Sequence, residues 1–254
     1  MNPEAHLTFA RDAGERIAAV GPHADLSVTV PSCPDWTLDA LLFHTGGFCR
    51  FARLSLEQGA TVEPGGLPHL DYSDYSPGDN VGWHRMEFDR LIAVLEASDP
   101  DEIGWSWGRD QRKAFWFRRA AQELSMHCWD AENAAGVAAP IDPELAADGV
   151  DEVLDEFGRP PSGLNSQGLA EKFGRPGATL HFHASDVREH PGEWTAVASE
   201  AAFSVTHEHS KGDVGARGTA SDLLLFVSGR VPLDRLEVFG DRALLEHWAA
   251  EVKI

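Results

Sequence analysis

The segment QELSMHCWD, residues 122–130, carries three groups capable of acid–base or metal chemistry in a stretch otherwise rich in apolar side chains. Glu123 and His127 are four residues apart, and Asp130 follows three later. On an α-helix that spacing puts all three on one stripe. Leu124, Met126 and Trp129 surround them, and a bare carboxylate in such company is costly. A metal ion removes the cost: carboxylate oxygen and imidazole nitrogen are ordinary zinc donors, and zinc takes four ligands. The candidate third protein ligand is His44 in LLFHTGG, within an apolar run and beside Gly46 and Gly47. Three protein ligands leave a fourth position open, as catalytic metal sites do. The same spacing also describes a plain surface Glu–His pair, with Asp130 a solvated carboxylate, and twelve histidines make coincidences easy.

These groups need helices to carry them. The spacing of Leu7, Ala10, Ala13, Ile17 and Val20 predicts a first amphipathic helix. VPSCPDW reads as a Pro-punctuated loop. Thr37 is a plausible N-cap for a second helix running to Gln58. Gly46 and Gly47 weaken that helix by about 1 kcal/mol each against Ala, which suggests close packing or room for a ligand. Residues 59–79 form a long Gly/Pro/Asp loop, a length often found at functional sites. A third helix is expected over about 80–98 and a fourth from about Gln111 to Ala135, stopped by Gly136. Four amphipathic helices joined by loops imply an up-down antiparallel bundle, in which sites are built from facing helices.

The pattern changes near residue 140. ELAADGVDEVLDEFG reads as a helix, RPPSGLNSQGLAEKFGRPG as irregular, and ATLHFHAS, EWTAVAS and AAFSVTHEHS as strands. ASDLLLFVSG and DRALLEHWAAEV read as helices around a short strand, RLEVFG. The expected organisation is therefore a helical domain, 1–140, and a smaller α+β domain, 141–254. His181 and His183 share a strand face, as do His207 and His209. With no comparably placed carboxylate seen beside either pair, they read as partly exposed strand residues.

Composition bounds the partners. The formal net charge is −20, from 41 acidic and 21 basic residues. Such a surface repels phosphate backbones, so nucleic acid is not expected as a partner. The basic segment RDQRKAFWFRR, 109–119, fits the start of a helix or an anionic ligand better. No run approaches the ~18 apolar residues of a membrane span, and the N-terminus lacks the apolar core of a signal peptide. A cytoplasmic protein is the expectation. Cys33, Cys49 and Cys128 form no CxxC and read as small buried hydrophobes. Cys128 lies about 100° around the helix from His127, which disfavours it as a ligand of the same ion.

DWTLDALLFH, followed about 80 residues later by ELSMHCWDAENAAG, resembles the mycothiol-dependent maleylpyruvate isomerase family. The matching positions are Trp36-Thr37, His44, Glu123, His127 and Asp130. GTASDLLLFVSGR adds a shorter resemblance near the C-terminus, ending at Arg230. The resemblance implies a DinB-like four-helix N-terminal domain and a C-terminal domain of sterol-carrier type. It implies Zn2+, or another divalent metal, on His44, Glu123 and His127, with mycothiol as the thiol cosubstrate. Asp130 would orient a ligand, and Arg230 would steady the substrate carboxylate or developing negative charge. A low-molecular-weight thiol held by metal as thiolate would attack a small electrophile, giving an S-transferase or a thiol-assisted cis–trans isomerase. The aromatic segments GWHRMEF and GWSWG could line the pocket or belong to the core. Two other readings stand beside this one: a zinc hydrolase without thiol, and a non-enzymatic module binding an apolar small molecule. The oligomeric state is not written in the sequence.

Overall fold

A computed structural model describes residues 1–21, 24–59, 70–160 and 167–252. The chain forms two compact units, Met1–Ala139 and Pro140–Ile254.

The first unit is a helical bundle. Helix α1 spans Pro3–Val20, α2 Leu38–Gln58, α3 Asn80–Ala97 and α4 Ala114–Ala134. Three of them begin on a side chain that accepts an otherwise orphaned N–H. Asn2 accepts from Ala5, Thr37 from Ala40 and Asp79 from Gly82. Helix α1 packs on α4 and α3, and α2 on α3 and α4. Gly46 is there for packing: a Cβ would stand 2.3 Å from the Trp83 ring on α3. Trp83 and Phe88 of GWHRMEF and Trp107 of GWSWG are buried, so most of these aromatic side chains belong to the core.

Two local expectations are corrected. The segment expected as a loop forms a small hairpin, β1 (Thr29–Val30) against β2 (Cys33–Thr37), turning at Pro31-Ser32. Val30 packs with Leu38, Leu41 and Ala131 in one apolar cluster, so tertiary burial holds a segment that its prolines disfavour. Helix α4 begins at Ala114 and not at Gln111, because Gln111 and Lys113 pair with Gly104 and Glu102 through their backbones. Its end is as expected. Gly136 takes φ 72°, and Val137 N–H returns to the Glu132 carbonyl. Of the long loop at 59–79, residues 60–69 lie outside the described residues.

The second unit joins helices to a mixed five-stranded sheet. Its elements are α5 (Pro143–Asp155), α6 (Leu169–Phe173), β3 (Thr179–Ala184), β4 (Glu193–Ala198), β5 (Phe203–Thr206), β6 (Val214–Gly218), α7 (Ala220–Val227), β7 (Glu237–Gly240) and α8 (Arg242–Glu251). The strand order is β5-β4-β3-β6-β7, antiparallel except for the β3–β6 pair. Strand β3 alternates strictly: Leu180, Phe182 and Ala184 enter the core, and Thr179, His181 and His183 face the other way. Strand β6 escaped the sequence pattern because Gly215 and Gly218 interrupt a five-residue run. Helix α6 lies inside the stretch expected to be irregular, of which residues 161–166 are outside the described ones. Among the described residues no helix is long and apolar enough to cross a membrane.

Candidate metal centre

Helices α2 and α4 bring His44 against the stripe formed by Glu123, His127 and Asp130. His44 Nε2 lies 2.9 Å from Glu123 Oε1, and His127 Nε2 lies 3.4 Å from the same oxygen. The two imidazole rings meet edge-on, with centroids 4.8 Å apart. One ligand atom from each of His44, Glu123 and His127 falls within 4.8 Å of the others, so the three could hold one metal ion. The Trp36 ring packs on both, 4.7 Å from His44 and 5.9 Å from His127 between centroids.

Behind these groups is a line of support. His127 Nδ1 donates to Asp130 Oδ2 at 2.9 Å, which leaves Nε2 turned toward Glu123. Asp130 is fully buried and in turn accepts from Ser32 Oγ at 2.6 Å. The β1–β2 turn supplies that hydroxyl, and Cys33 Sγ lies 3.8 Å from the other carboxylate oxygen. The hairpin thus fixes the Asp130 carboxylate, which fixes the ring of His127. On the far side of Glu123, Arg119 Nη2 donates to Oε2 at 2.8 Å.

The electrostatics follow from these contacts. Burial alone would raise the Glu123 carboxyl pKa. Hydrogen bonds from His127 and His44, with the Arg119 charge, outweigh it and hold the group well below the usual carboxylate range. Burial would lower His127, but hydrogen bonds to Asp130 and Glu123 push it up to about 9. Without a metal, therefore, this cluster keeps a proton at neutral pH where a cation would otherwise sit.

The buried Cys49 and Cys128 offer no competing nucleophile. Burial, with the nearby Glu132 charge, pushes the Cys128 thiol up to about 12, and burial likewise raises Cys49 well above the usual thiol value. The basic segment 109–119 is not an open cationic patch. Arg112 pairs with Asp110 and Asp101, Lys113 with Glu102, and Arg119 with Glu123.

Arg230 belongs to the second unit. It follows α7 where Gly229, at φ 78°, turns the chain. Its backbone N–H bonds to Leu225, and its Nη1 donates to the Ser228 carbonyl at 2.7 Å. The guanidinium is half-buried and fixed against its own turn.

Three contributors were not singled out as site residues from sequence: Arg119, Ser32 and the Trp36 ring as a wall. Arg119 had a legible signal, since it precedes Glu123 by four and shares its stripe. Ser32 had none, because its role depends on a hairpin reaching α4.

The sequence profile described as the mycothiol maleylpyruvate isomerase N-terminal domain matches residues 7–132. That of the family's C-terminal domain matches 144–247. The fold is shared with a crystal structure of a mycothiol-dependent maleylpyruvate isomerase. Identity is 14%, the TM-score 0.65, and the match covers 94% of this chain and 93% of that one. A histidine-to-alanine mutant of a mycothiol-dependent maleylpyruvate isomerase gives 13% identity and a TM-score of 0.64, over the same shares of the two chains. No curated protein matches the chain. With both family profiles placed in order along its length, the chain belongs to the mycothiol-dependent maleylpyruvate isomerase family.

Proposed function

We propose that this protein is a metal- and thiol-dependent enzyme that activates a low-molecular-weight thiol, mycothiol by family kinship, for attack on a small electrophile. Transfer of the thiol and thiol-assisted cis–trans isomerisation are the two outcomes in keeping with the family. The observation that carries the reading is the convergence of His44, Glu123 and His127, with Asp130 aiming His127 from behind.

The donor set fits zinc or a similar divalent ion. Two imidazoles and one carboxylate supply three ligands, and a carboxylate behind one imidazole is the usual outer support of such a site. Charge favours an anionic fourth ligand. Glu123 and Asp130 contribute two negative charges and Arg119 one positive, so a divalent ion leaves a single positive charge uncompensated. When bound, the ion would supply the charge that deprotonates a thiol and holds it in place. Trp36 shields the two imidazoles from water on one side. Arg119 keeps Glu123 ionised and turned toward the histidines. Asp130 keeps a proton on His127 Nδ1, so that Nε2 is the nitrogen left to the metal once its own proton is released. The family resemblance assigns Arg230 to an anionic group of the substrate.

The test is metal content by elemental analysis, combined with an assay for thiol-dependent consumption of cis-olefinic and other small electrophiles. Wild-type protein should need both zinc and mycothiol for turnover, and His127→Ala should lose the zinc of this centre and turnover together. Arg230→Ala should keep its zinc and lose kcat/KM. Turnover that persists in His127→Ala, or that proceeds with zinc but without any thiol, would overturn the reading.

A further inference from the structure

Among its described residues the second unit holds two more carboxylate–histidine clusters, and they are built differently. Asp151, His190 and His207 form the first. His190 Nε2 lies 2.7 Å from Asp151 Oδ2, while His190 Nδ1 accepts the Gly192 N–H at 3.0 Å. A nitrogen that accepts cannot carry the proton, so the proton sits on Nε2 and is donated to Asp151. A metal at that Nε2 would require the imidazole to lose its last proton. The Trp194 indole also donates to Asp151, at 2.7 Å. This cluster is a hydrogen-bonded brace.

The other cluster is built differently. Glu193 on β4 stands directly across from His183 on β3. Its Oε2 lies 2.6 Å from His181 Nε2, and its Oε1 lies 2.6 Å from His183 Nδ1 and 3.3 Å from His209 Nδ1. The His181 and His209 rings meet edge-on at 86°, with centroids 5.0 Å apart. His209 lies beyond β5, on a segment tied down over the sheet. Thr195, two residues along β4 from Glu193, donates to the Glu208 carbonyl at 3.0 Å and shares a hydrogen bond with the Ser210 hydroxyl at 2.8 Å. His207 Nδ1 donates to the Glu193 carbonyl at 3.2 Å. The segment is therefore anchored on both sides of His209. The ligand atoms of His181, Glu193 and His209 lie within 4.8 Å of one another.

We propose that His181 Nε2, a Glu193 carboxylate oxygen and His209 Nδ1 form a second divalent-metal site, with His183 as the positioning residue that holds the carboxylate. Two imidazoles and one carboxylate select a zinc-class ion over magnesium or calcium, which prefer oxygen donors. The site opens to solvent on the His209 side, whose ring is 78% exposed, while His181 and Glu193 are 11% and 17% exposed. Binding would pin the segment after β5 to the β3–β4 face. The inference does not rest on the centre at His44, since no residue is shared.

The experiment is equilibrium dialysis of the full chain, stripped with chelator and reloaded with zinc, followed by elemental analysis. His127→Ala should retain one zinc per chain. Adding His181→Ala and His209→Ala to it should remove that zinc, whereas adding His190→Ala should not. His209→Ala alone replaces an exposed ring and leaves the sheet intact, so it guards against misfolding of the double variant. In the His127→Ala background it should weaken zinc binding at least about tenfold, and magnesium should not compete. A His127→Ala protein that binds no zinc, or whose zinc survives loss of both His181 and His209, would overturn the proposal. Wild-type protein whose single zinc disappears with His181 and His209 but not with His127 would support it, and would count against the first centre instead.

Discussion

Two of the clusters among the described residues build a candidate metal site from the same chemical parts, two imidazoles around one carboxylate, on different backbones. At His44, Glu123 and His127 the ligands ride on two helices, and separate residues do the aiming: Asp130 behind His127, Ser32 behind Asp130 and Arg119 behind Glu123. At His181, Glu193 and His209 the ligands come from paired strands and a tethered segment, and the one carboxylate serves three imidazoles. In both, a metal must displace hydrogen bonds between imidazole and carboxylate. In the first, His127 and Glu123 are each also held from behind by a partner outside the ligand set, whereas in the second the one carboxylate is the partner of every imidazole. Preorganisation of this kind separates a site suited to chemistry from one suited to holding a segment in place.

The sharpest way to break the comparison is His127→Ala. It should abolish turnover and empty the helical centre, while the strand cluster keeps its metal. A pH series comes next. His127 must give up a proton to bind metal, and its pKa in the metal-free protein is pushed up to about 9. Between pH 7 and 9 the apparent zinc affinity of the helical centre should therefore rise about tenfold per unit, measured in the His181→Ala, His209→Ala background. The linkage to stability has the opposite sign. A raised imidazole pKa stabilises the metal-free fold below about 6.5, and that contribution is lost as pH rises through about 9. A metal-free thermal scan should show falling stability across that window, and a flat profile would remove His127 as its source.

Smaller effects probe the supporting residues. Asp130→Asn keeps the shape but removes the charge behind His127, and should cost about 10–100-fold in zinc affinity or activity. Ser32→Ala acts on the metal only through Asp130 and His127, so a loss of roughly severalfold is expected in the same assay. If Ser32→Ala costs as much as Asp130→Asn, the hairpin and not the carboxylate sets the geometry. Smallest of all, His209→Ala should leave turnover unchanged and remove part of the zinc-dependent rise in Tm.

The two clusters were unequally legible before folding, for the same reason that they differ in build. Helical spacing is local: positions four apart share a stripe in any helix, so Glu123 with His127 stands out in the bare sequence. The sequence also shows the histidine pairs 181/183 and 207/209, but gives no sign of the carboxylate between them. Glu193 meets His181 and His183 only through antiparallel register, and His209 only because Thr195 ties its segment down. Register depends on pairing between distant segments, and one step of slip would turn every side chain to the other face.

By itself the sequence determined the helical first part, the strand-bearing later part, the caps at Thr37 and Gly136, and the Glu123–His127–Asp130 stripe. These rest on periodicity, on capping chemistry and on the backbone freedom of glycine, all properties of a few neighbouring residues. Tertiary structure alone decided that α2 carries His44 to Glu123, that the hairpin at Pro31-Ser32 reaches Asp130, and that β6 lies parallel to β3 despite its glycines. Each of those depends on apolar burial between segments far apart in the chain. Val30 packing with Leu41 and Ala131, and Gly46 admitting Trp83, gain their free energy only once the whole core has closed.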